Sequence, residues 1–482
     1  MKKSSTKTKK TVKRKKKNSF FNKLFSIIYI AIVLTFIFCL CYMNVLPTIA
    51  NVILIIFLVL ISLVLLFFIN NVRVRDHIKR KSIVFSLILM IILTLINMPV
   101  LKTINFLSRI SSSNDEIINY SVLVLSGSDY NKLKELNNQK IGYYVSDERA
   151  NDKLKIDVKF EKYEDISKLY NALFDKKVSA IIIEDSLKKL AEEENETYLS
   201  KTRTIYNYHI KEESTTVAKT VDVTKKPFNI YVSGIDTYGE IASVSRSDVN
   251  IVVTVNPSTH QVLLTSIPRD YYVKLHSKNG YRDKLTHAGI YGVDESISTI
   301  EDILKIDINY YLKVNFTSVV DIVDALGGVT VSSDYAFTSV EGYKFQKGIN
   351  NMNGEYALAF VRERYAFAEG DRQRGKNQEA VIKALIGKAT SPAILLKYDT
   401  ILTKLSNKVE TNIPQKAILS LVKMQLSNNV EWVVESNNLD GSNSMEYTYS
   451  YPNSKLYVMI PSNDSIEKAK ARINEVSGDD SE

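Results

Sequence analysis

Cysteine is almost absent from this chain. Cys39 and Cys41 are the only two in 482 residues, so no disulfide framework can brace anything beyond residue 41. Acidic residues are missing from Met1 to Lys17, which holds nine lysines and Arg14, and this segment accounts for the whole formal excess of ten positive charges. A charge confined to one short tail is not a basic face on a folded domain, so no nucleic-acid partner is expected. No cysteine and histidine spacing suits zinc, and no Ser-His-Asp or Cys-His set offers a nucleophile. A 45% share of hydrophobic residues excludes a wholly disordered chain and leaves room for two or three domains.

Charge of either sign is missing from Leu24 to Val72, a run too long for one bilayer crossing. Pro47 divides it into spans at 24–42 and 49–69, and a third uncharged stretch covers 83–101. Each has about the 20 residues that a helix needs to cross hydrocarbon. Residues 1–22 form a basic tail, the first connection is uncharged, and the second carries Arg73, Arg75, Lys79, Arg80 and Lys81 against Asp76. Basic short segments stay cytoplasmic, so the amino terminus is expected inside and everything after Leu101 outside. That outer part has 47 basic and 52 acidic residues. The absence of cysteine there fits a cell membrane protein of a bacterium that does without extracytoplasmic disulfides.

After a short Ser/Asn linker, runs at 120–125, 140–145, 158–163 and 178–183 read as strands, and 131–136, 165–174 and 186–194 as helices. They make a small α/β accessory domain over 106–210, with no phosphate loop and no metal cluster, the composition of an interaction or spacer module. A polar linker at 211–226 leads to a second α/β domain over 227–476, followed by an acidic, disordered 477–482.

The second domain concentrates the chemistry. Phe228 to Ser233 and Val249 to Val255 read as an antiparallel hairpin, which makes Asp236 and Asp248 neighbours at one sheet edge. Gln261 to Ile267 then returns Pro268-Arg269-Asp270 to that edge. Two close carboxylates suit a hard cation such as Mg²⁺, which leaves coordination positions for phosphate. Arg246 and Arg269 add forked donors. Ion pairing along a sheet edge explains these residues equally well. Further on, Gly354 to Val361 reads as a helix leading into Arg362-Glu363-Arg364, whose arginines share a face only in extended chain. With Asp371 as the N-cap of the next helix, Asp371, Arg374 and Gln378 stand on one side. Arginines at a helix amino terminus oppose its dipole unless an anion is bound there, so this cluster reads as a phosphate cradle. Lys284 is a further phosphate ligand by position, whereas His287 suits a structural hydrogen bond as well as a functional one. Helix-spaced Ile300, Ile303, Leu304, Val319, Val320, Ile322 and Val323 are core residues by default, and an apolar cavity is their alternative.

The series Gly234-x-Asp236, Arg246-Ser247-Asp248, Ile267-Pro268-Arg269-Asp270, Lys284-x-x-His287-Ala288, Gly327-Gly328-Val329, Ala357-x-x-x-Val361-Arg362-x-Arg364 and Gly370-Asp371-x-x-Arg374-x-x-Asn377-Gln378 closely resembles the LytR-CpsA-Psr family over about residues 226–395. With three spans and an intervening domain, the chain resembles that family's streptococcal capsule-associated CpsA branch. The resemblance implies an α-β-α catalytic domain whose central mixed sheet is flanked by helices. It also implies a magnesium-dependent phosphotransferase that moves a phosphoglycan, capsular or related, from a polyprenyl-pyrophosphate carrier to peptidoglycan at the outer membrane face. By the same resemblance Asp236 and Asp248 serve the metal, and Arg246, Arg269, Arg362, Arg364, Arg374 and Gln378 the pyrophosphate. Asp248, Asp371, Arg246 and Arg364 form the catalytic set, with Asp371 or Asp248 as base. Capsule-synthesis proteins are expected partners. A lipid-binding sensor of capsule synthesis without turnover, or a lipid pyrophosphate hydrolase, would use the same residues.

The orientation is testable in a Cys39→Ser/Cys41→Ser background. A single cysteine introduced at Ser477 should react with a membrane-impermeant maleimide in intact cells, and one at Ser4 only after permeabilisation. The reverse pattern would invert the topology.

Overall fold

The computed structural model describes residues 3–478 apart from 45, 47, 72, 112–114, 145–147, 214–217, 236–240, 242, 392–397, 406–407 and 429, and the side chains of 3–19, 115, 148–150, 193–194, 212–213, 398–400 and 402 are likewise not described. The chain divides into two units, Met1–Ser108 with Gln415–Val430, and Arg109–Pro414 with Glu431–Glu482.

The first unit holds helices α1 (Lys3–Met43), α2 (Thr48–Asn70) and α3 (Asp76–Ser111). Segments Phe20–Met43, Thr48–Asn70 and Asp76–Ser111 are long and apolar enough to cross a membrane. Most of their large apolar side chains face outward, as lipid-facing helices require. A narrow seam of Tyr29, Val33, Phe36, Leu58, Leu65 and Leu93 packs them together, and the Tyr29 hydroxyl pairs with Ser62 Oγ at 2.9 Å. The third helix differs from the expected 83–101. Asp76 occupies its first turn, where an acid complements the dipole, so the basic connection is largely helical. The helix also continues through Pro99 to Ser111.

In the second unit, the accessory domain comprises β1 (Asp115–Leu125), β2 (Lys140–Tyr144), α4 (Glu148–Lys153), β3 (Lys159–Tyr163), α5 (Ile166–Phe174), β4 (Ala180–Glu184), α6 (Asp185–Glu194), α7 (Glu196–Lys201) and β5 (Thr202–Glu213). The sheet order is β3-β2-β4-β1-β5. Strand β4, Ala-Ile-Ile-Ile-Glu, is buried along its whole length, which accounts for its unbroken apolar run. Residues 106–111, placed in this domain by the sequence, instead continue α3. Strand β5 was not anticipated and takes in the start of the expected 211–226 linker. Its polar sequence hides a pairing with β1 that runs from Asp115↔Glu213 to Leu125↔Thr202. Later in that linker Val223 is buried, and Lys219 Nζ reaches Glu301 and Asp307 at 2.6 and 2.7 Å.

The catalytic layer follows with β6 (Phe228–Ile235), β7 (Ser247–Asn256), β8 (Gln261–Ser266), β9 (Tyr272–Lys274), β10 (Arg282–Lys284), α8 (Leu285–Ala288), α9 (Val293–Leu304), β11 (Tyr310–Asn315) and α10 (Phe316–Ala325). Short strands β12 (Val329–Ser333), β13 (Phe337–Thr338), β14 (Lys344–Phe345) and β15 (Gly348–Met352) precede α11 (Gly354–Arg362), α12 (Asp371–Ala389), α13 (Tyr398–Leu405) and β16 (Glu410–Thr411). Helix α14 (Gln415–Asn428) lies inside the stretch read as catalytic, 227–476, but groups with the membrane unit. The chain ends with β17 (Val433–Asn438), β18 (Gly441–Tyr447), β19 (Lys455–Pro461) and α15 (Asn463–Ser477).

The central sheet has the order β16-β11-β6-β7-β8-β17. One face buries Tyr231, Val252 and Leu263 against Ile300 and Leu304 of α9 and Ile473 and Val476 of α15. Helices α11 and α12 supply Ala357, Phe360 and Val381 to a separate cluster with Val323 of α10. Ile300 and Leu304 are therefore core, as their default reading had it. Strands β6 and β11 are parallel, as are β8 and β17, while β7 is antiparallel to β6 and β8. The carboxyl ends of four strands and the start of β7 thus share one edge, the place where open α/β sheets present ligand sites. A bulge follows Gly234, whose missing side chain leaves room for Val249: a Cβ there would lie 2.6 Å from Val249 Cγ2.

The accessory domain is not a free spacer. Ile290 is buried in its core beside Leu169 and Leu187. Glu116 Oε1 accepts the Val293 N–H at 3.0 Å, and Asn453 donates to Asp165.

Glu379 of α12 is 3% exposed. Burial pushes its carboxyl up to about 7, against hydrogen bonds from Asn438 and Ser436. Because the folded value exceeds the unfolded one, this group's stabilisation is present below about pH 4.5 and is lost as pH rises through about 7. Thermal melts should show that Glu379→Gln gains up to about 3 kcal/mol over wild type between pH 5 and 8. A pH-independent difference would reject this reading.

Candidate active site

The end of β6, the start of β7 and the turn after β8 meet as the hairpin register required. Asp248, the second residue of β7, accepts from Arg269 Nη1 at 2.8 Å and from the Thr286 hydroxyl at 3.1 Å. Burial would raise the Asp248 carboxyl, but Arg269, Arg246 and Arg374 outweigh it and hold the group below the usual carboxylate range. Asp248 is therefore a fixed anion. Asp270 Oδ1 takes Lys284 Nζ at 3.3 Å. Asp236 lies outside the described residues, and its expected place beside Asp248 is not part of this geometry.

Arg362 ends α11, and the chain leaves the helix at Glu363 in an extended conformation, as two converging arginines require. Glu363 explains the turn. It is 3% exposed and accepts the N–H groups of Val340 and Ala366 at 2.8 and 2.9 Å, which clamps the loop between the two arginines. Arg362 lies over the Phe316 ring at 4.4 Å, and Arg364 stacks on Tyr365 at 4.6 Å.

Asp371 does not cap α12. The N-cap is Gly370, at φ 53°, and Asp371 is the first helical residue, its carboxylate bonded to Arg374 one turn on. Glycine accepts that backbone and an aspartate cap would not. Burial raises the Asp371 carboxyl. Arg374 opposes the rise, and the neighbouring Asp270 and Asp248 add to it. The carboxyls of the site's two acids are thus shifted in opposite directions.

A cavity of about 530 Å³ gathers Arg246, Asp248, Arg269, Asp270, Lys284, His287, Arg362, Arg364, Arg374 and Gln378. Every described residue of the predicted site except Asp371 lines it. Its apolar part comes from Val314, Phe316, Val319, Leu358 and Val361, with Leu190 contributed by α6 of the accessory domain. Of the seven residues considered for an apolar cavity, only Val319 is among these. His287 is 1% exposed, with Nδ1 2.6 Å from Asp283 and 2.8 Å from the Ser450 hydroxyl. These bonds fix the turn that carries Lys284 and Thr286. Thr286, Glu363, Tyr365, Tyr457 and Leu190 had not been anticipated. The first two were visible only as neighbours of named residues, and the others carry no local signal.

Among the described residues no three His, Cys, Asp or Glu side chains converge to form a metal cage. Magnesium is commonly held by one or two carboxylates plus substrate phosphate, and an ionised Asp248 at the cavity wall fits that role.

The family profile described as the LytR_cpsA_psr family matches residues 194–471. Two curated relatives carry the name polyisoprenyl-teichoic acid–peptidoglycan teichoic acid transferase TagU. The one from Bacillus mycoides is 40% identical over 199 residues, 41% of this chain and 64% of the relative. The one from Bacillus subtilis is 38% identical over 197 residues, 40% of this chain and 63% of the relative. The matched part thus spans under two thirds of each relative's length. The crystal structure of B. subtilis TagV is similar at 32% identity, with a TM-score of 0.45, covering 53% of this chain and 98% of that one. These names concern teichoic acid and do not single out the capsule-associated branch. By the extent of the profile match, this chain belongs to the LytR-CpsA-Psr family.

Proposed function

We propose that the chain is a membrane-anchored phosphotransferase, facing outward, that moves an anionic wall polymer from a polyprenyl-pyrophosphate carrier to peptidoglycan. Teichoic acid is the polymer class favoured by the relatives' names, with capsular polysaccharide as the alternative. The observation that carries the reading is the single cavity in which five arginines and Lys284 meet a patch of Val314, Phe316, Val319, Leu358 and Val361. Cationic groups on one side and apolar groups on the other match a ligand that is a pyrophosphate at one end and a hydrocarbon at the other.

Phosphoryl transfer needs charge neutralisation and alignment more than covalent help. Arg246, Arg269, Arg362, Arg364 and Arg374 would neutralise the phosphate oxygens, with Gln378 and Lys284 beside them, and forked guanidinium donors suit that geometry. Asp248, itself anchored by Arg269, would hold Mg²⁺ together with Asp236. The bound ion would supply further charge neutralisation. Asp371 would take the acceptor hydroxyl's proton, since a raised carboxyl is the better base of the two acids. The acceptor oxygen bonds to the polymer-linked phosphorus, and the bond from that phosphorus to the bridging oxygen breaks. Polyprenyl phosphate leaves with the electron pair.

The test uses detergent-solubilised full-length chain, a polyprenyl-pyrophosphate-linked polymer, Mg²⁺ and peptidoglycan. Arg364→Ala and Asp248→Ala should lower wall-bound polymer by about 10²- to 10³-fold. Asp371→Asn should lower it by about 10²- to 10⁴-fold. Lipid binding without turnover would reject the enzyme, and release of polymer to water alone would make it a hydrolase.

Asp371 also sets a pH dependence. The rate should fall on acidification with an apparent midpoint above the ordinary carboxylate value, because the base must be ionised and burial has raised it. A residual rate in Asp371→Asn that still shows this limb would remove Asp371 as the base.

A further inference from the structure

A second cavity, of about 390 Å³, adjoins the first and shares part of its charged lining. Asp248, Arg269, Arg374 and Gln378 line both cavities, whereas Arg246, Lys284, Arg362 and Arg364 line only the first among the described residues. Asp371 lines only the second, in company with Asn250, Arg372, Lys376, Asn438 and Asp440. The division separates the two roles that the proposed reaction requires. Arg246, Lys284, Arg362 and Arg364 face only the first space, Asp371 faces only the second, and Arg269, Arg374 and Gln378 border both.

We infer that the second cavity is the acceptor subsite, taking a hydroxyl-bearing amino sugar of the peptidoglycan glycan strand. This rests on the transferase reading above and assigns the acceptor a place in it. In an in-line displacement the attacking and leaving oxygens stand on opposite sides of phosphorus. Two cavities that share a wall of Arg269, Arg374 and Gln378 provide those two sides, with the transferring phosphorus at the wall. The incoming hydroxyl gives its proton to Asp371 as its oxygen bonds to phosphorus, and the polyprenyl phosphate departs into the first cavity.

The lining suits a sugar. Arg372 holds Asp440 at 2.7 Å and the Gly441 carbonyl at 2.8 Å, Lys376 holds Glu369 at 2.8 Å, and Asn438 reaches Glu379 at 3.3 Å. These paired donors and acceptors present a polar rim around a floor of Ile267, Pro268 and Leu439, a mixture that suits a sugar ring's hydroxyl edge and C–H face. Arg269 Nε is buried with no hydrogen bond among the described residues, so the shared wall retains one unused donor. The volume lies within the range of small-molecule sites.

Lys376 and Asn438 are exposed, so bulk added there should fill the cavity without disturbing the core. Full-length Lys376→Trp and Asn438→Trp, checked for unchanged melting, should raise KM for a disaccharide-peptide fragment of peptidoglycan tenfold or more. The Kd for polyprenyl pyrophosphate should stay within twofold of wild type. An unchanged acceptor KM, or a tenfold loss of pyrophosphate affinity in its place, would overturn the assignment. Direct binding of the fragment, followed by saturation-transfer NMR on the wild type and both variants, separates this inference from the reaction. Absence of transfer would reject the transferase reading alone. Fragment binding that both variants leave intact, or that the wild type lacks, would reject the subsite.

Discussion

The contact of Asp248 with Arg269 and Thr286 joins three segments that are separate in sequence. Asp248 opens β7, Arg269 follows β8, and Thr286 lies in α8. A buried carboxylate is costly without partners, and removing one partner of a buried pair typically costs about 3 to 5 kcal/mol. The fold supplies those partners through the antiparallel register of β7 and β8. The same residues that line the cavity therefore hold the sheet edge to α8, and through α8 to the loop carrying Lys284. His287 and Asp283 extend this network to Ser450, so the end of β10 is tied to the chain after β18.

A chemical asymmetry follows from that arrangement. Three arginines and the Thr286 hydroxyl lower the Asp248 carboxyl, whereas at Asp371 Arg374 and Arg269 work against burial and two neighbouring acids. Two carboxylates of one site are driven apart by their neighbours, the pattern by which a single site separates an electrostatic role from a proton-transfer role. Burial acts alike on both, so the distribution of arginines decides.

Much of this was legible in the sequence because hairpin register and side-chain alternation are local rules. Pairing 249–255 with 261–267 was enough to bring Asp248 and Arg269 together, and the spacing of Arg362 and Arg364 was enough to require extended chain after α11. Other features were not readable. Gly370 took the capping position because its backbone angle, not its side chain, ends the preceding turn. Strand β5 was missed because polar residues interrupt its core-facing Ile205, Tyr208 and Ile210, and because its eleven-residue pairing with β1 is distant in sequence. The grouping of α14 with the membrane helices depends on contacts distant in sequence, such as Tyr42 with Gln415.

The docking of the accessory domain was illegible for the same reason, and it bears on the site. Ile290 follows His287 by three residues and is buried in the accessory core, while Leu190 of that domain reaches the cavity. A domain with no catalytic residues of its own thereby contributes to the packing of the α8 turn and to the apolar wall. Packed interiors transmit small displacements because they contain little free volume. The cavity thus takes Leu190 from the accessory domain and the rest of its lining from the second domain, with Asp248 tied to the α8 turn through Thr286.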